Sequence, residues 1–507
     1  MEKASWDTRF LGPLVKTSLN INNLLTNTNV QANADSSLKI VYQNDFFKLS
    51  MDSLFKIRDT TVRQPYTIPF QNTFSPGQEV ISNSLSETTY NLPGVQLRTT
   101  TVKSGFVVYT IKSLLKGVTD FVYSIPCAKL NGVPFSISIS VPAAVGNTPG
   151  IYSKTYDLSG YTIDLTGINH NKINTIYTSL TASISPLGQP VLVTSTDSLV
   201  INNTFHNMIP YYAKGYFGQN TFNIGPSESQ FAMFKNITGG SLHLEDVIFN
   251  LKIDNPIGLD ARVYINNLSS MNTRTGTTIA LSNSIVGSPI NINRASESGG
   301  NVFSTFANYP LTTSNSNIKQ MIENLPDKFG YSMQIISNPL GNISGSNDFI
   351  YSDKLMTAKL DMEIPLSLVA NNLTLADTLD LNISSNGKQN VKSGTITLYA
   401  DNGFPFDASL QFYLLNNANL AVDSLFANAN TIDEAPINSN LRAVGKKLTK
   451  LIIPISASKM NLLYNTKKLK LKVKFNTSAQ PNYIKIYSDY SIDVKLVGDI
   501  NYTVQLQ

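Results

Sequence analysis

One cysteine, one tryptophan and three histidines are all that 507 residues supply of the side chains most used for redox, metal and stacking chemistry. The lone Cys127 excludes an intrachain disulfide and a Cys-based zinc site. In YSIPCAKL it reads as a buried, inert thiol, because no histidine spacing offers a nucleophile its base. His170, His206 and His243 are 36 and 37 residues apart, whereas ligands on one element usually sit roughly two to five apart. Charge is scarce as well: 14% of residues, against roughly 25% in typical soluble domains. A net +5, from 39 basic and 34 acidic residues, is too small for a nucleic-acid footprint. No apolar run reaches the ~18 residues that span a bilayer as a helix. The opening MEKASWDTRF lacks the apolar core of a signal peptide, so the expectation is a mature or trimmed form of an exported chain. Gly239-Gly240 and Gly299-Gly300 lack the GK[ST] ending of a phosphate loop, and no G-x-S-x-G elbow occurs. The only tryptophan, Trp6, stands at the extreme N-terminus, which disfavours a sugar-cleft hydrolase, while 23 tyrosines leave room for lectin-like binding. A non-enzyme without a cofactor is expected.

What replaces charge is Asn, Ser and Thr, a polar but uncharged surface common among secreted and cell-surface β proteins. The chain is organised around residues 391–415, VKSGTITLYADNGFPFDASLQFYLL. TITLYA has the β-branched and aromatic composition of a half-buried strand. Asp401-Asn402-Gly403 stops it, Pro405 removes a ladder donor, and ASLQFYLL returns. Related stretches occur twice more. VKSG recurs letter for letter at Val102–Gly105, and SLHLEDVIFNLKI with LDARVYINNL brackets a turn at Asp254–Gly258. Aligning the turn-side Asp120, Asp260 and Asp407 gives intervals of 140 and 147; aligning Pro289 of SPININRA with Pro436 of APINSNLRA gives 147 again. The predicted fold is all-β with minor α: an elongated tandem array of β-sandwich-like domains with one short helix per repeat. The expected divisions are an N-terminal β segment or partial repeat at 1–87 and β repeats at 88–213, 214–365 and 366–507. Within the first, Leu38–Phe55 reads as a hairpin around Gln43-Asn44-Asp45. Ile318, Met321, Ile322 and Leu325 follow helical spacing, Ala457–Tyr464 is a second helix candidate, and Asn171–Leu180 is ambiguous between helix and strand.

Candidate sites are few. Glu245-Asp246, Asp401 with Asp407, and Asp433-Glu434 could offer oxygens to Ca²⁺, but none matches a known calcium loop, and solvated turn carboxylates are the simpler reading. The turn at Asn402–Asp407 could hold a ligand; an ordinary hairpin is the simpler account. On a strand, Lys470, Lys472 and Lys474 share one face. They make a solvated surface or a docking face for an anionic partner such as an acidic glycan, a lipid head group or an acidic protein. The apolar runs YTIKSLLKGVTDFVYSI and LIIPISASKMNLLY could line a lipid groove.

The segments SWDTRFLGPLVKTSL, DTTVRQPYTIPF, YDLSGYTIDLTG and DNGFPFDASLQFYLL resemble a family of Bacteroidota extracytoplasmic, outer-membrane-associated β-rich proteins and lipoproteins. The turn region Ile253–Val263 also resembles LEA-type β-sandwich hairpins. The resemblance implies an export or lipoprotein signal ahead of the SWD segment; this sequence carries no lipobox cysteine there. Five Asp-Ser or Asp-Thr motifs, such as Asp197-Ser198-Leu199 and Asp423-Ser424-Leu425, resemble the O-glycosylation acceptor of that phylum and equally suit turns and caps. The functional expectation is a non-enzymatic structural or interaction protein of the bacterial cell surface, outer membrane or periplasm. Its tandem β domains would act as a rigid scaffold for a protein or cell-envelope partner. The alternative is a surface protein that binds glycan or lipid in a groove between β sheets.

Overall fold

The computed structural model describes residues 5–21, 29–381, 391–427, 429–466 and 468–505. It is all-β, 63% strand and 5% helix, in several separate sheets. Alternation of buried and exposed residues at period two drives this: in Val133–Val141, Thr175–Ile184 and Lys468–Thr477 every second side chain turns inward.

Three units share one strand order. In the first, Thr60–Thr67, Ser198–Tyr216, Gln96–Ser113 and Gly150–Asp157 lie side by side, all antiparallel. In the second the same places are taken by Leu38–Leu49, Met356–Pro365, Ile248–Asn255 and Thr305–Leu311. In the third they are Ser5–Asn20, Ser491–Gln505, Val391–Asn402 and Lys447–Ser456. The opposing sheets also correspond. They are centred on Thr119–Leu130 with Thr175–Ile184, Ala261–Asn272 with Lys328–Ser337, and Phe406–Leu415 with Lys468–Thr477. Their inner faces meet through rings such as Tyr109 with Tyr123 and Phe249 with Phe329. In the first unit Thr162–Asp164 pairs with both sheets and joins them at one edge.

Hydrogen bonding crosses the expected divisions. Residues 1–87 do not form a sheet of their own: Ser5–Asn20 joins the third unit, Leu38–Leu49 the second, and Thr60–Thr67 the first. Leu38–Leu49 is one strand rather than a hairpin, because a bulge opposite Ala358 and Lys359 lets both Phe46 and Phe47 reach the core. The strand Ile237–Leu244 pairs with Ser367–Asp380 of the third unit. At that junction three backbone bonds close a ring: Leu38 N–H to Ile486, Ile486 N–H to Leu366, and Leu366 N–H to Leu38, at 2.8–2.9 Å. Between the first and second units Asp348–Tyr351 extends the Ser198–Tyr216 strand's sheet. Buried Asp348 there accepts from Arg294 at 3.2 Å and Asn338 at 2.7 Å, and Arg294 also holds Asp260 at 2.6 Å.

The organising hairpin turn has a side-chain cause. Asn402 is fully buried; its amide donates to the carbonyls of Phe406 and Asp433, and its oxygen accepts the N–H of Phe404, each at 2.9 Å. Asn255 makes the matching bonds, to Leu259, Asn293 and Ile257, at 3.1, 2.9 and 3.0 Å. In the first unit Ser113 keeps only the last of the three, accepting from Leu115 N–H at 3.2 Å. In each unit the residue two past this side chain accepts from an alanine: Leu115 from Ala144, Ile257 from Ala295, Phe404 from Ala435. These bonds correct two sequence alignments. Thr119, Ala261 and Ala408 are equivalent positions near the start of the return strands, opposite Val141, Ile292 and Ile432. Asp260 and Asp407 therefore correspond, whereas Asp120 sits two residues late. Ile292 and Ile432 are 140 apart, not 147, so Pro289 does not correspond to Pro436. The intervening loop is seven residues shorter in the third unit, 24 positions from 408 to 432 against 31 from 261 to 292.

Helices stand at Ile318–Glu323 and Ala457–Asn465, each just ahead of a central strand. The corresponding place in the first unit has none: Asn171–Asn174 is loop and Thr175–Ile184 is strand, with Ile176, Thr178, Leu180 and Ala182 buried in alternation.

Candidate binding cavity

That missing helix leaves space. Helix residues Ile318, Met321 and Ile322 are buried at the end of the second sandwich, as Met460 and Leu463 are in the third. At the same end of the first sandwich a cavity of about 890 Å³ opens between the sheets. Leu97, Ile125, Ile163, Leu165, Ile176 and Phe205 form its walls. Two connectors to the second unit cover it, residues 54–58 and 217–220, with Phe55 stacked on Phe217 at 5.4 Å and 10°. The volume falls within the roughly 300–1,000 Å³ of small-molecule sites, and the predominance of apolar lining is their usual character.

Asn174 fixes one rim. Its φ of 52° is in the left-handed region, which Asn tolerates better than most residues. Its amide donates to Val95 O at 2.8 Å, its oxygen accepts Leu97 N–H at 2.6 Å, and its carbonyl accepts Tyr90 N–H at 2.8 Å. One residue thus holds residues 90–97 as the lip of the opening. At the mouth stand exposed Lys56, Arg58, Asn91 and Pro93.

Two residues along the same inner faces from Phe205 and Ile125 lies a polar layer. Asn203 donates to the Tyr123 hydroxyl at 2.6 Å, and Gln64 to Thr178 at 3.0 Å. The Tyr66 and Tyr109 hydroxyls, Gln64 Oε1 and Asn203 Oδ1 are buried without a protein partner. Burial pushes the Tyr90, Tyr109 and Tyr123 hydroxyls far above the ordinary phenol range, so they stay neutral.

The residues singled out by sequence do not converge. Cys127 is buried, exchanging bonds with Tyr177 backbone at 3.4 Å, and burial pushes its thiol up to about 11, the wrong direction for a nucleophile. His170, His206 and His243 sit on different elements, each beside its own carboxylate: Asp164, Asp59 and Glu323. Among the described residues no group of three His, Cys, Asp or Glu side chains is placed to hold a metal ion. The Asn402–Asp407 turn is filled by its own Phe404 and Phe406 and presents no ligand loop. Lys470, Lys472 and Lys474 alternate with buried Leu471 and Val473 on one outward face, between Ser367–Asp380 and Phe406–Leu415. The position of the cavity was missed, since seven separated segments build it; the only signal was the ambiguity between helix and strand over Asn171–Leu180. The run 109–125 contributes just Ile125 to it.

No protein-family model and no curated protein matches the chain. Among solved structures, a candidate secreted protein from Parabacteroides distasonis is 9% identical over 97% of this chain and 99% of its own, with a TM-score of 0.29. Infectious bursal disease virus, Gx strain, gives 9% identity over 89% and 80% with a TM-score of 0.13. At these scores the likenesses carry no argument about this chain.

Proposed function

We propose that this is a non-enzymatic, extracytoplasmic binding protein of the bacterial cell envelope, whose first unit houses an apolar, lipid-like molecule. The second and third units act as its scaffold. The observation that carries the reading is the cavity of about 890 Å³ in the first sandwich, where, among the described residues, no helix stands just ahead of the central strand Thr175–Ile184. The low charge and the Asn, Ser and Thr surface support a place outside the cytoplasm. The matched turns of the three units support a tandem-repeat origin. The lysine face at Lys470, Lys472 and Lys474 is a candidate contact with an anionic envelope partner.

The test is titration of the full chain with the neutral probe N-phenyl-1-naphthylamine. Saturable binding is expected, lost when Ala128→Phe or, separately, Leu165→Trp fills the space while far-ultraviolet circular dichroism is kept. Non-saturable binding, or binding unchanged in both folded variants, overturns the reading.

A further inference from the structure

The ligand's charge can be read from the rim. Among the described residues, all that line the cavity are uncharged except two, Lys56 and Arg58, and no carboxylate lines it. Both lie on the connector that covers the opening. Along this connector side chains alternate: Phe55 and Ile57 turn in and pack on the core, while Lys56 and Arg58 stay exposed. Three other cations of the first two units are paired: Lys172 with Glu87, Lys214 with Glu297, Arg294 with Asp260. Among the described residues neither Lys56 nor Arg58 forms an ion pair. The adjacent carboxylate, Asp59, is already taken, accepting from Asn207 N–H at 2.9 Å and facing His206 at 2.8 Å. Asp52 precedes them on the short helix Met51–Leu54 but does not line the opening.

From this we infer that the ligand is an anionic amphiphile. Its hydrocarbon chain lies between the sheets of the first unit, and its carboxylate or phosphate head sits at the mouth against Lys56 and Arg58. The inference rests on the binding reading above and adds the head-group chemistry. Arginine offers a planar fork that matches either oxyanion, lysine a mobile point charge, so the pair accepts both heads. The head stays at the rim, where an ion's hydration is largely kept, and only the chain is desolvated. Electrostatics at such a rim selects sign more than it adds affinity.

The experiment compares cis-parinaric acid with its methyl ester on the full chain. They share a chain and differ in charge. The acid is expected to bind roughly tenfold more tightly, about what two solvent-screened ion pairs supply. That preference should shrink as salt rises. In the double variant Lys56→Ala/Arg58→Ala, acid and ester should bind alike, with the ester's affinity unchanged. Lys56→Glu/Arg58→Glu should instead favour dodecylammonium over dodecanoate. Competition by dodecanoate against dodecyl phosphate tells which head is preferred; displacement by either supports the inference. Equal binding of acid and ester by the native protein overturns the anionic assignment and leaves the cavity reading standing. Failure of both to bind removes the cavity reading itself.

Discussion

The first and second units are the same sandwich with opposite interiors. In the second, the end beside Lys328–Ser337 is packed solid. Phe329 touches Phe231 edge-on at 4.9 Å and Phe249 at 6.3 Å, and the helix Ile318–Glu323 seals the gap. In the first, the equivalent end carries Ile176, Leu165 and Ala128, and the segment just ahead of Thr175–Ile184 is loop and not helix. Ring volume and one helical turn decide whether this architecture makes a core or a container. Close packing is the default of protein interiors, so space retained at one of three matching positions calls for an occupant.

The largest expected effect tests the solid end. Phe329→Ala should cost about 3–5 kcal/mol, read as lost hydrogen-exchange protection across Lys328–Ser337. Ile163→Ala in the cavity wall should cost roughly 2 kcal/mol, the low end for such truncations, because one side of it already lacks partners. Equal losses would mean the first unit is packed like the second. Saturating amphiphile should next raise protection in the first unit alone, by about 2.7 kcal/mol at a hundredfold excess over Kd. Protection spread evenly over all three units would contradict a site in the first. Asn402→Ala should destabilise the third unit by about 2 kcal/mol, since three buried bonds lose their partner. Ser113→Ala, which removes one bond in the first unit, should cost about 1 kcal/mol; a reversed order would break the correspondence of the turns.

The smallest effect concerns acid. Arg9 holds the Asp499 carboxyl below its ordinary value of 3.8, first through hydrogen bonding and then through charge. A lowered folded value means the contribution is present above pH 3.8 and lost as pH falls toward the folded value. Exchange protection of Ser5–Asn20 should therefore decline at the acid end, and Arg9→Ala should flatten that decline. The Thr60–Thr67 strand at the equivalent place in the first unit should show its own decline at the acid end, one that Arg9→Ala leaves untouched, because His206 and Asn207 N–H hold Asp59 below its ordinary value.

Much of this was written locally and could be read locally. Period-two burial announced the sheets, and the spacing of Ile318, Met321 and Ile322 announced a helix that exists. The Asn402 turn was legible because Asn, Gly and Pro act within a few residues. The N-terminal strands were not legible, because Ser5 pairs with Gln505 and nothing in either segment names the other. The false 147-residue marker arose because a Pro-Ile-Asn string carries no register, whereas the Ala295 and Ala435 hydrogen bonds do. The lysines at 470, 472 and 474 alternate with buried residues along their strand, a pattern that needs only the strand itself. The cavity depends on what seven distant segments fail to fill, and absence of volume leaves no periodic trace.

The pairing of Ser5–Asn20 with Ser491–Gln505 has a mechanical meaning. The strands run antiparallel with residue 5 opposite residue 505. Tension applied at those two positions loads their ladder like a zipper, one rung at a time, and not in shear across all rungs at once. The third unit would therefore peel open at low force, strand by strand from its outer edge. The first unit lies along the chain from both grips, behind the junction ring of Leu38, Leu366 and Ile486. A molecule stretched between two attachments would yield at its laced end while its container stayed shut.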